Sequence, residues 1–90
     1  MTPDAPARPR PLGHLLACWR LQRFGNPGWA VSFRYDKEVT EELKRCVLAR
    51  DRHWDRERKV WWVAGLYRPT LRRLFGEAFE AQAAAEDDLE

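Results

Sequence analysis

Residues 52 to 65, RHWDRERKVWWVAG, place three tryptophans and five basic side chains in fourteen positions. That mixture suits one chemistry that needs no catalysis. A guanidinium or ammonium takes a phosphate, and an indole lies flat on an unpaired base, a contact worth about 1–3 kcal/mol per base. The same rings can serve a plainer end, because a chain of 90 residues draws much of its core from a few large aromatics. Strand geometry divides them. On one strand Trp61 and Trp62 point to opposite faces, so only one can meet helices covering a single side. The other must cover the far face, sit at an edge or meet a partner. The candidate nucleic-acid-binding residues are Arg50, Arg52, His53, Trp54, Arg56, Arg58 and Lys59, extended by Arg68, Arg72 and Arg73 on a later helix. Arg52, Arg56, Arg58 and Lys59 are the expected phosphate ligands, and Trp54, or one of Trp61 and Trp62, is the expected stacking or buttressing ring.

The net charge of +2 conceals a division along the chain: all 16 Lys and Arg precede residue 76, whereas Glu77, Glu80, Glu86, Asp87, Asp88 and Glu90 follow it without a counter-charge. A basic body with an acidic end suggests an anionic partner and a segment that competes with it. Catalytic chemistry finds little support. No Ser/His/Asp arrangement, glycine-rich phosphate loop or paired carboxylate stands out, so no catalytic residue and no cofactor are expected. His14, Cys18, Cys46 and His53 could be imagined as zinc ligands. Cys18 falls mid-strand and Cys46 on an apolar helix stripe, and both read better as buried thiols than as part of a metal site. No apolar run reaches signal-peptide or membrane-span length, and no CxxC occurs. The expectation is a reduced, cytoplasmic protein with no membrane and no small-molecule substrate among its partners.

These residues need elements to position them. Residues 1–13, rich in proline and arginine, read as a disordered leader. Residues 15–24 are apolar enough for a strand, GNPG (25–28) marks a turn, and WAVSFRY (29–35) alternates cleanly, with Trp29, Val31, Phe33 and Tyr35 on one face. Asp36 is placed to cap a helix through KEVTEELKRCVLAR, with Val39, Leu43, Cys46 and Val47 as its apolar stripe. Leu48 falls on the polar face of that helix. DRHWDRER (51–58) reads as a polar connection and KVWWVAG (59–65) as a third strand. Pro69 opens a second helix, whose spacing carries it through Gly76. The expected fold is α+β with ββαβα order: a small antiparallel-rich sheet with helices on one face, a single domain over 14–80 and an acidic tail over 81–90.

FRYDKEVTEELKRC followed by HWDRERKVWWV resembles the HARP domain, the small accessory domain of Snf2-type annealing helicases and related bacterial modules. The residues carrying the likeness are Tyr35-Asp36, Lys44, Trp54-Asp55 and Trp61, across residues 29 to about 75. The resemblance implies a DNA-binding accessory domain that recognises junctions between single and double strands. The expected function is therefore a non-catalytic module for single-stranded or junction DNA, with DNA ahead of RNA, serving a larger DNA-processing protein. The alternative is a protein-interaction adaptor that docks through a sheet edge or an exposed tryptophan. Bases converging beside an exposed ring would favour the first; scattered bases and a bare apolar edge would favour the second.

Overall fold

The computed structural model describes residues 11–87. Most of the expected leader, residues 1–10, and residues 88–90 of the expected tail lie outside them. The fold class is α+β. Four strands, β1 (Leu15–Arg20), β2 (Gly28–Phe33), β3 (Arg52–Asp55) and β4 (Val60–Ala64), form one antiparallel sheet in the order β1-β2-β4-β3. Three helices, α1 (Lys37–Cys46), α2 (Arg68–Phe75) and α3 (Glu77–Asp87), complete it.

Two expected elements are corrected. The polar connection contains β3, so the order is ββαββαα. Its four residues, RHWD, pair with β4 in the register Arg52↔Val63, His53↔Trp62, Trp54↔Trp61 and Asp55↔Val60. Backbone bonds to one neighbour suffice to make an edge strand, whatever the polarity of its side chains. The long second helix is broken at Gly76, whose φ of 69° ends α2, and a Cβ there would lie 3.2 Å from Pro11. The helix after the break runs to Asp87, beyond the tail boundary expected at residue 81. Its side chains seal the outer edge of β1: Gln82 accepts from the Cys18 N–H at 2.8 Å and Glu86 from the Arg20 N–H at 3.0 Å. Asp87 pairs with Arg20 and Arg68.

Apolar spacing explains the layering. Trp29 and Val31 on β2 and Val63 on β4 meet Val39, Leu43, Leu71, Leu74, Phe75 and Phe79 from the helices in one buried cluster. Trp29 meets Phe79 edge-on at 5.4 Å. Asp36 caps α1, its side chain accepting from the Glu38 N–H at 2.9 Å. The helix ends at Cys46, earlier than its polar spacing suggested. Leu48 therefore lies beyond it, exposed, and never occupies the helix's polar face.

Trp62 closes the sheet's other face. Alternation turns it away from the helices, yet it is only 4% exposed. Its indole N–H donates to the Leu21 carbonyl at 2.7 Å, and a Cβ at Gly28 would sit 2.5 Å from its ring. The segment between β1 and β2 therefore folds over that face with the indole beneath it. Cys18 and Cys46 are free, and burial, reinforced by Glu86, pushes the Cys18 thiol up to about 11. Among the described residues no helix is long and apolar enough to cross a membrane.

Glu42 on α1 joins two helices, accepting from Arg45 at 2.6 Å and from Arg73 of α2 at 3.4 Å. The hydrogen bonds from Arg45, then from Cys46, hold its carboxyl down at about 2, against an ordinary 4.5. A depressed pKa stabilises the fold above the unfolded value and loses that contribution as pH falls through the folded one. The gap in melting temperature between wild type and Glu42→Gln should be open above pH 4.5 and narrow as pH falls toward 2. In urea, Trp62→Ala should cost about 3–5 kcal/mol. Trp61→Ala, removing a ring that is only partly buried, should cost clearly less. Equal losses would mean that both rings are core.

Candidate nucleic-acid interface

The β3–β4 hairpin is built around Asp55. Its carboxylate accepts from the backbone N–H of Glu57 and of Arg58, both at 3.0 Å, and from the Arg58 guanidinium at 2.9 Å. The Arg58 N–H foremost, with that guanidinium and the Glu57 N–H, holds the carboxyl below the usual range. The Lys59 N–H closes the turn on the Asp55 carbonyl at 2.7 Å. Lys59 itself has φ 58°, a left-handed backbone that side-chain-bearing residues rarely adopt.

This turn makes Trp54 and Trp61 direct cross-strand partners, with ring centroids 5.5 Å apart and planes at 56°. Both rings lie on the helix side of the sheet, but α1 does not cover them. Its apolar residues Val39 and Leu43 turn into the core. The next residue along each time, Thr40 or Lys44, borders a groove that also takes in Phe33, Tyr35, Trp54, Lys59 and Trp61. The groove has a volume of about 360 Å³ and an apolar floor. Trp54 is 42% exposed and Tyr35 77% exposed at its rim. The Lys44 ammonium lies 5.9 Å from the Trp61 ring centroid. Two ammonium groups and no carboxylate line it, so it suits a flat ring with negative charge beside it.

The structure separates the expected site residues. Trp54 and Lys59 stand in the groove. Arg50 and Arg56 are exposed nearby in sequence, on the turn before β3 and on the hairpin. His53 is exposed on the face of β3 opposite Trp54. Arg52 is half-buried and donates from Nε to the Val47 carbonyl at 3.2 Å, which pins the start of β3 to the end of α1. Arg58 is held by Asp55. Arg68 pairs with Asp87 at 3.3 Å and approaches Glu80 at 3.7 Å. Arg73 meets Glu42 and donates to the Cys46 sulfur at 3.1 Å. Arg68, Arg72 and Arg73 border a different cleft, shared with Glu42, Glu77 and Glu80. The arginines therefore do not converge beside the exposed ring. Among the described residues, no cluster of three metal-ligating side chains occurs.

Sequence reasoning left Tyr35 and Lys44 out of the binding set and gave Trp61 only as an alternative to Trp54 or Trp62. The signal lay in the seven-residue spacing of Trp54 and Trp61, which a hairpin turns into a facing pair, and in Lys44 standing one residue beyond Leu43 of the buried stripe. Comparison of the chain with family models, curated proteins and solved structures found no match.

Lys59 holds a strained backbone while its side chain lines the groove. Lys59→Gly should therefore leave the thermal midpoint unchanged or raise it slightly, because glycine adopts that φ freely. A clear fall in the midpoint would make the lysine a structural residue.

Proposed function

We propose that the chain is a non-catalytic, HARP-like nucleic-acid-binding module for single-stranded or junction DNA, in which the Trp54–Trp61 groove takes an unpaired base. One observation carries the reading: Tyr35, Lys44, Trp54 and Trp61, distant in sequence, border a single apolar groove. In this account Trp54 and Trp61 supply stacking surface, and Lys44 and Lys59 take the flanking phosphates. Asp36 and Asp55 bind nothing themselves; they build the helix start and the turn that aim the other groups. Arg50 and Arg56, exposed and close in sequence, add cationic surface around the same hairpin. In this reading the module acts in the cytoplasm as an accessory to a larger DNA-processing protein.

A second reading, the protein-interaction adaptor, is the one that scattered bases favour. Arg52, Arg58, Arg68 and Arg73 are engaged within the fold, and the groove beside the short edge strand would also accept an apolar side chain of a partner protein. Salt dependence separates the two.

Titration of intrinsic tryptophan fluorescence with oligo-dT should show binding. Trp54→Ala should weaken it by about 1–3 kcal/mol. The pair Lys44→Gln and Lys59→Gln should flatten the slope of log affinity against log salt by about 1.4, two phosphates at ~0.7 each for a single strand. Arg72→Gln should change neither quantity. Absence of oligonucleotide binding at low salt would sink the nucleic-acid reading in favour of the adaptor.

A further inference from the structure

The turn between β1 and β2 lies at the opposite end of the sheet from the groove. It precedes Gly28, whereas the groove takes in Phe33 at the other end of β2. Those ends are roughly 17 Å apart at the strand rise. Reciprocal backbone bonds close the turn: the Arg23 N–H donates to the Asn26 carbonyl and the Asn26 N–H to the Arg23 carbonyl, both at 2.9 Å. Its central residues, Phe24 and Gly25, have φ of 52° and 80°. Both signs are those of a type I′ turn, in which asparagine followed by glycine is the favoured pair. A phenylalanine in the first of these positions is strained, because a bulky residue at positive φ crowds its own backbone.

Phe24 gains no burial in return. The residue is 86% exposed, more than any other large apolar residue among the described residues. A Cβ added at Gly25 would meet nothing within 4 Å, so the tip stands clear of the body. One neighbour does attend the ring: the Arg23 guanidinium lies 4.6 Å from its centroid and 5.8 Å from that of the buried Trp62. Of the hairpin's arginines, Arg20 is paired with Asp87 and Arg34 lies beyond the far end of β2, so Arg23 is the cation at the tip. A strained, projecting aromatic with a guanidinium on its face matches the surface of a polyanion that offers flat apolar rings.

We propose that Phe24 is a stacking wedge that inserts at the terminal base pair of a duplex beside a single strand, with Arg23 on the adjacent phosphate. Apolar side chains that enter a base step unstack it and gain contact surface in return. The proposal rests on the nucleic-acid reading of the groove and assigns the hairpin a separate contact: the groove holds the single strand, and the tip meets the duplex end.

The test uses the full chain and a forked oligonucleotide with 2-aminopurine in the junction pair. Wild type should raise 2-aminopurine fluorescence as the base unstacks. Phe24→Asn should abolish that rise and weaken fork affinity about fivefold or more, the loss of one stacking contact. Its affinity for oligo-dT should stay within about twofold and its thermal midpoint should stay level or rise, because asparagine suits the turn better. Phe24→Tyr should keep the fluorescence rise. The proposal is overturned if Phe24→Asn retains the rise and the fork affinity, or if it lowers the thermal midpoint. Wild type that binds oligo-dT but leaves 2-aminopurine unchanged also overturns the wedge while the groove stands. Wild type that binds neither oligonucleotide overturns both.

Discussion

Two adjacent tryptophans on one strand cannot share a face, and the rest of the molecule is arranged around that restriction. Trp62 turns away from the helices and would leave a large apolar ring in water on the far side of a four-stranded sheet. The β1–β2 segment folds over it, the Leu21 carbonyl accepts its indole N–H, and Gly28 supplies the clearance. A small domain thereby obtains a second, thin apolar layer without a further helix. With that face closed by Trp62, Trp61 is left on the helix side, where α1 borders it with Thr40 and Lys44 instead of burying it. Its facing partner on β3 is Trp54. The groove is thus what remains when one short helix, with a stripe two residues wide, covers one end of a four-stranded sheet.

Electrostatics sharpen the division of labour. Among the described residues the surplus of cations does not translate into a continuous basic face, because acids of α1, β3 and α3 find the arginines. Glu42 takes Arg45 and Arg73, Asp87 takes Arg20 and Arg68, and Asp55 takes Arg58. Exposed pairs of this kind contribute little to stability individually. Their consequence here is that the groove's own cations are two lysines, and its character is set by its rings. The C-terminal acids also do more than carry charge: Glu86 satisfies a backbone donor on the free edge of β1, where an open edge invites association.

Much of the architecture was legible where side-chain period and burial coincide. Trp29, Val31 and Phe33 alternate on β2 as read, Asp36 caps α1, and Trp61 and Trp62 divide between faces. The misreadings have physical causes. β3 is four residues of arginine, histidine, tryptophan and aspartate, held by backbone bonds to a single neighbour, so no apolar pattern announces it. Helical spacing runs through Gly76 undisturbed, because Leu74, Phe75 and Phe79 all turn to the core on either side of the break. The expected binding set follows charge density, in residues 50–59 and again at Arg68, Arg72 and Arg73. Charge density cannot distinguish Arg52, which pins a strand, or Arg58, which closes a turn, from a free cation. Tyr35 and Lys44 meet Trp54 and Trp61 around one groove only in three dimensions, although the linear pattern Tyr35-Asp36, Lys44, Trp54-Asp55 and Trp61 already linked them.

The central claim is that the Trp54–Trp61 groove, and not the sheet's other face, receives the ligand. The five tryptophans give five indole N–H resonances, which can be followed by NMR as oligo-dT is added. The account predicts that Trp54 and Trp61 shift progressively with ligand while Trp29 and Trp62 stay fixed. Shifts confined to Trp19 and Trp62, with Trp54 and Trp61 unmoved, would contradict it.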